Sequence, residues 1–216
     1  MQFQQTFSVQ RLWQLMKLLV CALILKVTLS IVANYRHYVP PDFDSEFLSG
    51  RDGYFYGSYQ WAFYAHLVSG PISLLLGMVL LNDRFRNRLP VWHRVLGRIQ
   101  TLNVLLLIVP SGLWMSAWSD GGYVAASGFA VLAILTGICC AQGWRLAVRR
   151  RFSDHRRWMN RCFVLLCSAI VLRIIGGFGW LMNLDPEWTY PTAAWVCWLV
   201  PVAIYERFGV RRRAVA

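Results

Sequence analysis

Six long apolar runs, separated by short segments of alternating charge, constrain this chain more than any other feature. They lie near residues 12–34, 61–82, 99–118, 123–147, 162–181 and 192–208. Most come close to the roughly 20 residues that a helix needs to cross the hydrocarbon core of a bilayer. In lipid a backbone must satisfy its own hydrogen bonds, so such runs become helices. The last run is short and holds Pro201. A chain of 216 residues that is 57% hydrophobic and 15% charged also carries more apolar surface than a soluble domain hides. The expectation is an all-α fold: a six-helix transmembrane bundle, both termini cytoplasmic, forming a single domain over residues 1–216.

The net charge of +12 raises the question of nucleic acid, and its distribution answers it. Arginines crowd every second connection: Arg84, Arg86, Arg88, Arg94 and Arg98 after the second run; Arg145, Arg149, Arg150, Arg151, Arg156, Arg157 and Arg161 after the fourth; Arg207, Arg211, Arg212 and Arg213 at the end. The opposite connections hold only Arg36 and Arg51, with Asp42, Asp44, Glu46, Asp52, Asp120, Asp185 and Glu187. This is the positive-inside pattern of a multi-pass protein of the bacterial inner membrane. Basicity here sets topology and attracts anionic lipids at the cytoplasmic face. No nucleic-acid partner is expected. Arg11 and Lys17 begin the first run like a signal peptide, but Lys26 interrupts it and no small-x-small cleavage site follows, so a retained anchor is expected.

One charge breaks the pattern. Arg173 sits inside the fifth run, where a cation costs about 2.5–3.5 kcal/mol on insertion scales and so usually faces the protein interior. No run carries an acid at mid-depth, so its anion must come from a ligand, a lipid, another subunit or backbone carbonyls. Pro110, followed by Ser111 and Gly112, lies at about the same depth, roughly 16 Å above the cytoplasmic edge, and a kink there frees carbonyls. His66 lies in the second run, roughly 6 Å from Arg173 in depth. Both are expected to face inward and to grip one anionic group if their helices touch.

Four histidines flank the two membrane faces. His37 and His66 lie toward the outer face, and His93 and His155 open the third and fifth runs at the inner face. A pair of imidazoles near each face is what membrane-bound b-type haem needs, with arginines available for propionates. A second reading uses Arg94 with Arg98 and Arg157 with Arg161, each pair four residues apart on one helix face. With His93, His155 and Arg156 they form a basic pocket for phosphate or carboxylate. Ordinary contact with lipid head groups explains the same residues. No nucleophile–base–acid constellation is visible, so catalysis stays open. Proton-coupled transport usually needs an intramembrane carboxylate, and none is present.

Two further features bear on partners. The outer loop 35–60 is aromatic, acidic and punctuated by Pro40-Pro41, Gly50, Gly53 and Gly57. It caps the outer mouth, docks a membrane-protein partner, or is merely solvated. Eight of the eleven tryptophans fall near run ends, as in an interfacial aromatic belt. The six cysteines lack zinc or CxxC spacing and read as small packing residues.

The segments Ala65-His66-Leu67-Val68-Ser69-Gly70-Pro71, Trp92-His93-Arg94-Val95-Leu96-Gly97-Arg98, Ser111-Gly112-Leu113, Gly128-Phe129, His155-Arg156-Arg157-Trp158-Met159-Asn160-Arg161 and Leu172-Arg173 resemble a bacterial family of predicted membrane proteins, domain of unknown function 2306. The likeness runs from about residue 60 to 180. It implies that His66, His93, Arg94, Arg98, His155, Arg156, Trp158, Met159, Arg161 and Arg173 are signature positions, and it brings no activity with it. Asn160 and Cys162 depart from the pattern. A looser likeness to two-haem membrane cytochromes rests on the histidines alone.

The functional expectation is therefore a multi-pass membrane protein binding an anionic ligand or cofactor in its bundle, in its sharpest form b-haem electron transfer. The alternative class is an accessory or structural subunit of a larger membrane complex, with loop 35–60 as its docking surface.

Overall fold

The computed structural model describes residues 2–45 and 47–209, except for the side chains of residues 2–14, 16, 17 and 209. Glu46, Arg211, Arg212 and Arg213 lie outside the described residues, as do the side chains of Arg11, Trp13 and Lys17. The fold is all-α. The long helices are α1 (Gln2–Ala33), α2 (Gln60–Leu80), α3 (Pro90–Ser116), α4 (Gly122–Val148), α5 (Phe152–Leu181) and α6 (Pro186–Ile204). Among the described residues, five helices are long and apolar enough to cross a membrane: Leu18–His37, Asp52–Leu80, Pro90–Ser116, Gly122–Val148 and Phe152–Leu181. α6 coincides with the expected sixth run but is not among these five. Its first turns hold Glu187, Thr189, Tyr190 and Pro191, which lower its apolar character.

The helices start where local chemistry tells them to. Asn82 accepts from the backbone N–H of Arg84 at 2.9 Å and of Phe85 at 3.3 Å, capping the short helix Asp83–Arg88. Pro90 then opens α3 and Pro186 opens α6, where a missing N–H costs nothing. Two of the helices extend further toward the arginine-rich face than the apolar runs do. α3 begins at Pro90 rather than 99, and α5 at Phe152 rather than 162. Hydropathy stops at the lipid edge, whereas helices continue into the head-group layer. The HisArg motifs thus lie on helices. α4 ends with Arg150 at φ 58°, and Arg151 N–H reaches back 2.9 Å to the Leu146 carbonyl, which turns α5 onto α4.

α3 contains a π turn at Val104–Ile108, immediately before Pro110. Proline cannot donate to the turn below it, and the wider turn accommodates that loss. The main core, at the centre of α3–α6, is Val104, Cys139, Cys140, Cys162, Leu165, Cys197 and Trp198. Its cysteines are free and buried. α1 is peripheral. It meets the rest mainly where Ile24 joins Leu74 of α2 and Ile170 of α5.

The outer segment 35–60 folds as a cap. Leu48, Phe55, Tyr59 and Phe63 form a buried cluster with Tyr38, Phe43, Tyr54 and Tyr64 around it. Tyr38, Phe47, Phe55 and Tyr59 each have ring centroids 5.4–6.4 Å from that of Phe63, a spacing at which aromatic pairs attract. Arg51 locks the cap down. It is 4% exposed and donates to the Phe47 carbonyl (2.7 Å), the Tyr54 hydroxyl (2.9 Å), the Tyr59 hydroxyl (3.3 Å) and the Trp118 carbonyl (3.0 Å). Its other terminal nitrogen pairs with Asp120 between α3 and α4. The guanidinium also lies over the Phe47 ring, 4.9 Å from its centroid.

Candidate functional site

α2 supplies His66 and α5 supplies Arg173, and these helices do touch. Gly77 lies against the ring of Phe163, and Leu74 packs with Ile170. Arg173 does not face the bundle interior as expected. It is exposed on the flank of α5. Its surroundings are nonetheless crowded: Tyr35, Tyr38 and His66 all lie within electrostatic range of the guanidinium. Arg173 donates one hydrogen bond, 3.0 Å to the Ala169 carbonyl of its own helix. Ser111, beside the Pro110 kink at about the same depth, faces His66. Ser111 Oγ is 3.0 Å from His66 Nδ1 and also donates back to the Leu107 and Ile108 carbonyls of its own helix. Tyr35 donates to the Leu67 carbonyl, and Tyr64 donates 2.8 Å to the Tyr38 carbonyl, tying this corner to the cap. The result is a cation beside an imidazole and two phenols, open to the side, with no carboxylate paired to it among the described residues.

The two histidines at the arginine-rich face lie within electrostatic range of each other. His155 Nδ1 is 2.7 Å from the Gly143 carbonyl of α4. Helices α4 and α5 approach closely there, since a Cβ on Gly143 would sit 2.5 Å from Met159 Sδ. His93, on α3, lies within electrostatic range of His155, Arg86 and Arg94. Its Nδ1 is buried with no hydrogen-bond partner. Several of the arginines expected to line a pocket are held by carboxylates. Arg156 lies 3.7 Å from Asp83, Arg157 lies 3.9 Å from Asp154, and Arg161 grips Glu206 at 2.5 and 3.0 Å while covering Trp158. Arg94 and Arg98 remain exposed. At the other face, His37 accepts from Arg36 Nε at 3.1 Å and lies 3.5 Å from Asp42. His37 shares no hydrogen bond with His66, whereas His93 and His155 lie within electrostatic range of each other.

The family model described as "Predicted membrane protein (DUF2306)" matches residues 63–208. The chain belongs to this family. Neither the curated proteins nor the solved structures contain a match to it. The DUF2306 match extends beyond the expected residue 180 and takes in α6. It includes His66, His93, His155 and Arg173, and leaves out Tyr35, Tyr38 and Arg51. The protein is thus a membrane protein whose His66, His93, His155 and Arg173 lie within the family region, while His37 and part of its flank and cap lie outside.

Sequence reasoning passed over two groups. Arg51 read as one loop charge among acids, although an arginine amid Phe47, Tyr54, Tyr56 and Tyr59 was the available signal. Gln100, Asn103, Ser69 and Ser73 also escaped notice, since each is uncharged and short runs of polar residues at a span edge look like an ending rather than an interface.

Proposed function

We propose that this membrane protein binds an anionic amphiphile at a lateral site between Arg173 and His66. One observation carries the reading: a mid-span guanidinium on the flank, beside His66, Tyr35 and Tyr38, with a single backbone hydrogen bond. Arginine offers five N–H donors and stays charged, so a carboxylate or phosphate head group suits it. Being open sideways, the site admits a ligand whose tail remains in lipid. The positive-inside rule places the arginine-rich face toward the cytoplasm of a bacterial cell, which puts this site in the outer half of the inner membrane.

The test is purification in mild detergent followed by native mass spectrometry with lipid extraction. Wild type is expected to retain an acidic amphiphile that Arg173→Leu and His66→Ala both lose. Equal ligand content in wild type and Arg173→Leu overturns the reading. Co-purification of a stoichiometric protein lost in Arg173→Leu supports the accessory-subunit reading, with a partner carboxylate as the anion.

A second reading, b-haem at the inner face, is favoured by His93 and His155. The Gly143 carbonyl holds the ring of His155 through Nδ1, so that Nε2 would be the atom left to hold iron, as behind many ligating histidines. His93 from α3 is the other candidate ligand, with Arg94 and Arg98 for propionates. Haem would supply one-electron chemistry. A Soret band that shifts on dithionite reduction and disappears in His155→Ala supports this; a colourless preparation of haem-replete cells counts against it.

A further inference from the structure

The interface between α2 and α3 is polar along much of its length. His66, Ser69 and Ser73 occupy one face of α2, at spacings of three and four. Facing them on α3 are Ser111, Asn103 and Gln100. Asn103 Nδ2 donates 3.1 Å to the Ser69 carbonyl, and Gln100 Nε2 donates to the Ser73 carbonyl (3.0 Å) and hydroxyl (2.9 Å). Ser69 Oγ lies 3.5 Å from the His66 carbonyl, joining adjacent steps. Gln100, Ser69 and Ser73 are each at most 2% exposed.

Such contacts also serve as interhelical glue, and glue is complete when every polar atom is paired. Here it is not. Gln100 Oε1 and His93 Nδ1 are both buried without partners. They lie on one face of α3, seven residues apart, with Gly97 between them. No heavy atom comes within 4 Å of where a Gly97 side chain would begin. An orphaned acceptor and an orphaned imidazole nitrogen thus flank open space beside the partly exposed Gly97, and both are groups that water would satisfy. From His93 to Ser111 is 18 residues, about 27 Å of helix, nearly the thickness of the hydrocarbon core.

From this we infer that the α2–α3 seam conducts protons, through water, between His93 at the arginine-rich face and His66 below the cap. One proton enters at one histidine for each that leaves at the other, and no electron moves. Membrane proton paths commonly use a carboxylate. Here imidazoles at both ends provide the exchangeable sites, and buried hydroxyl and amide oxygens line the water between them. The inference is independent of the lateral anion site, since it needs no ligand.

The experiment reconstitutes the full chain in vesicles containing a pH-sensitive dye, with a potassium gradient and valinomycin to impose a potential. Wild type is expected to move protons faster than protein-free vesicles, and Gln100→Leu to slow that rate at least about tenfold by removing the buried acceptor. Gly97→Leu, which puts an apolar side chain into the space between the two orphaned groups, is expected to do the same while its helical circular dichroism matches wild type. Wild-type flux equal to that of protein-free vesicles overturns the proposal. So does unchanged flux in Gly97→Leu, whatever becomes of Gln100→Leu.

Discussion

Gly77 of α2 lies so close to Phe163 of α5 that a methyl group on it would sit 2.3 Å from the ring carbon Cδ2. The contact sets the distance at which α2 and α5 cross, and with it the approach of His66 to Arg173. Gly77→Ala therefore forces the ring or a helix to move, at a cost of about 1–3 kcal/mol. Gly176, also helical, has nothing within 4 Å of its would-be side chain. Gly176→Ala is expected to be neutral or to stabilise by up to about 1 kcal/mol. Thermal unfolding of both variants in the same detergent checks the contrast.

The cap supplies a ranking. Arg51→Met removes the shared donor of four hydrogen bonds and the ion pair, leaving Asp120, already 66% exposed, in water. Asp120→Asn leaves the guanidinium with its other acceptors, so it should cost less. Arg51→Lys keeps charge but cannot reach in several directions at once, and should fall nearer to Arg51→Met. The expected order of melting temperature is wild type, Asp120→Asn, Arg51→Lys, Arg51→Met, the last lower by about 3 kcal/mol of stability. An Arg51→Met protein as stable as wild type would refute the lock.

Arg161 and Glu206 form a two-point ion pair, but Glu206 is exposed. A double-mutant cycle with Arg161→Gln and Glu206→Gln should return a coupling of at most about 1 kcal/mol, shrinking in high salt. A larger, salt-insensitive coupling would mean that the pair is shielded by lipid or another chain.

At the flank, Arg173→Lys separates charge from shape. A lysine keeps one positive charge but loses the planar fork. If the bound head group is held by paired hydrogen bonds, Arg173→Lys should lose most of it, as Arg173→Leu does. Tyr35→Phe, which removes the hydroxyl bonded to Leu67, should retain it but show faster exchange with added lipid.

Much of this was legible in residues. Apolar runs located the helices, because lipid leaves the backbone little choice, but missed the first nine or ten residues of α3 and α5, which are polar. That His93 and His155 come within electrostatic range was legible because both open runs on the arginine-rich side. The orientation of Arg173 was misread. Insertion energetics require a polar neighbour, yet they do not say which side of the helix it occupies, and α1 packs too sparsely to enclose it. The Arg51 lock was hidden because its partners, Phe47, Tyr59, Trp118 and Asp120, converge only after the chain folds. Gln100 and Asn103 were invisible for the opposite reason: hydropathy averages over a window and erases single amides.

The π turn at Val104–Ile108 has a consequence for how this sequence tolerates change. On an unbroken α-helix, Asn103 and Ser111, eight residues apart, would point about 80° from each other. One additional residue in the wider turn narrows that to roughly 20°, so both look toward α2. Deleting one residue within that turn would therefore leave plain α-helix and keep Ser111 turned toward His66, because seven residues of α-helix also end roughly 20° apart, whereas a deletion elsewhere between His93 and Ser111 would rotate everything above it by about 100°.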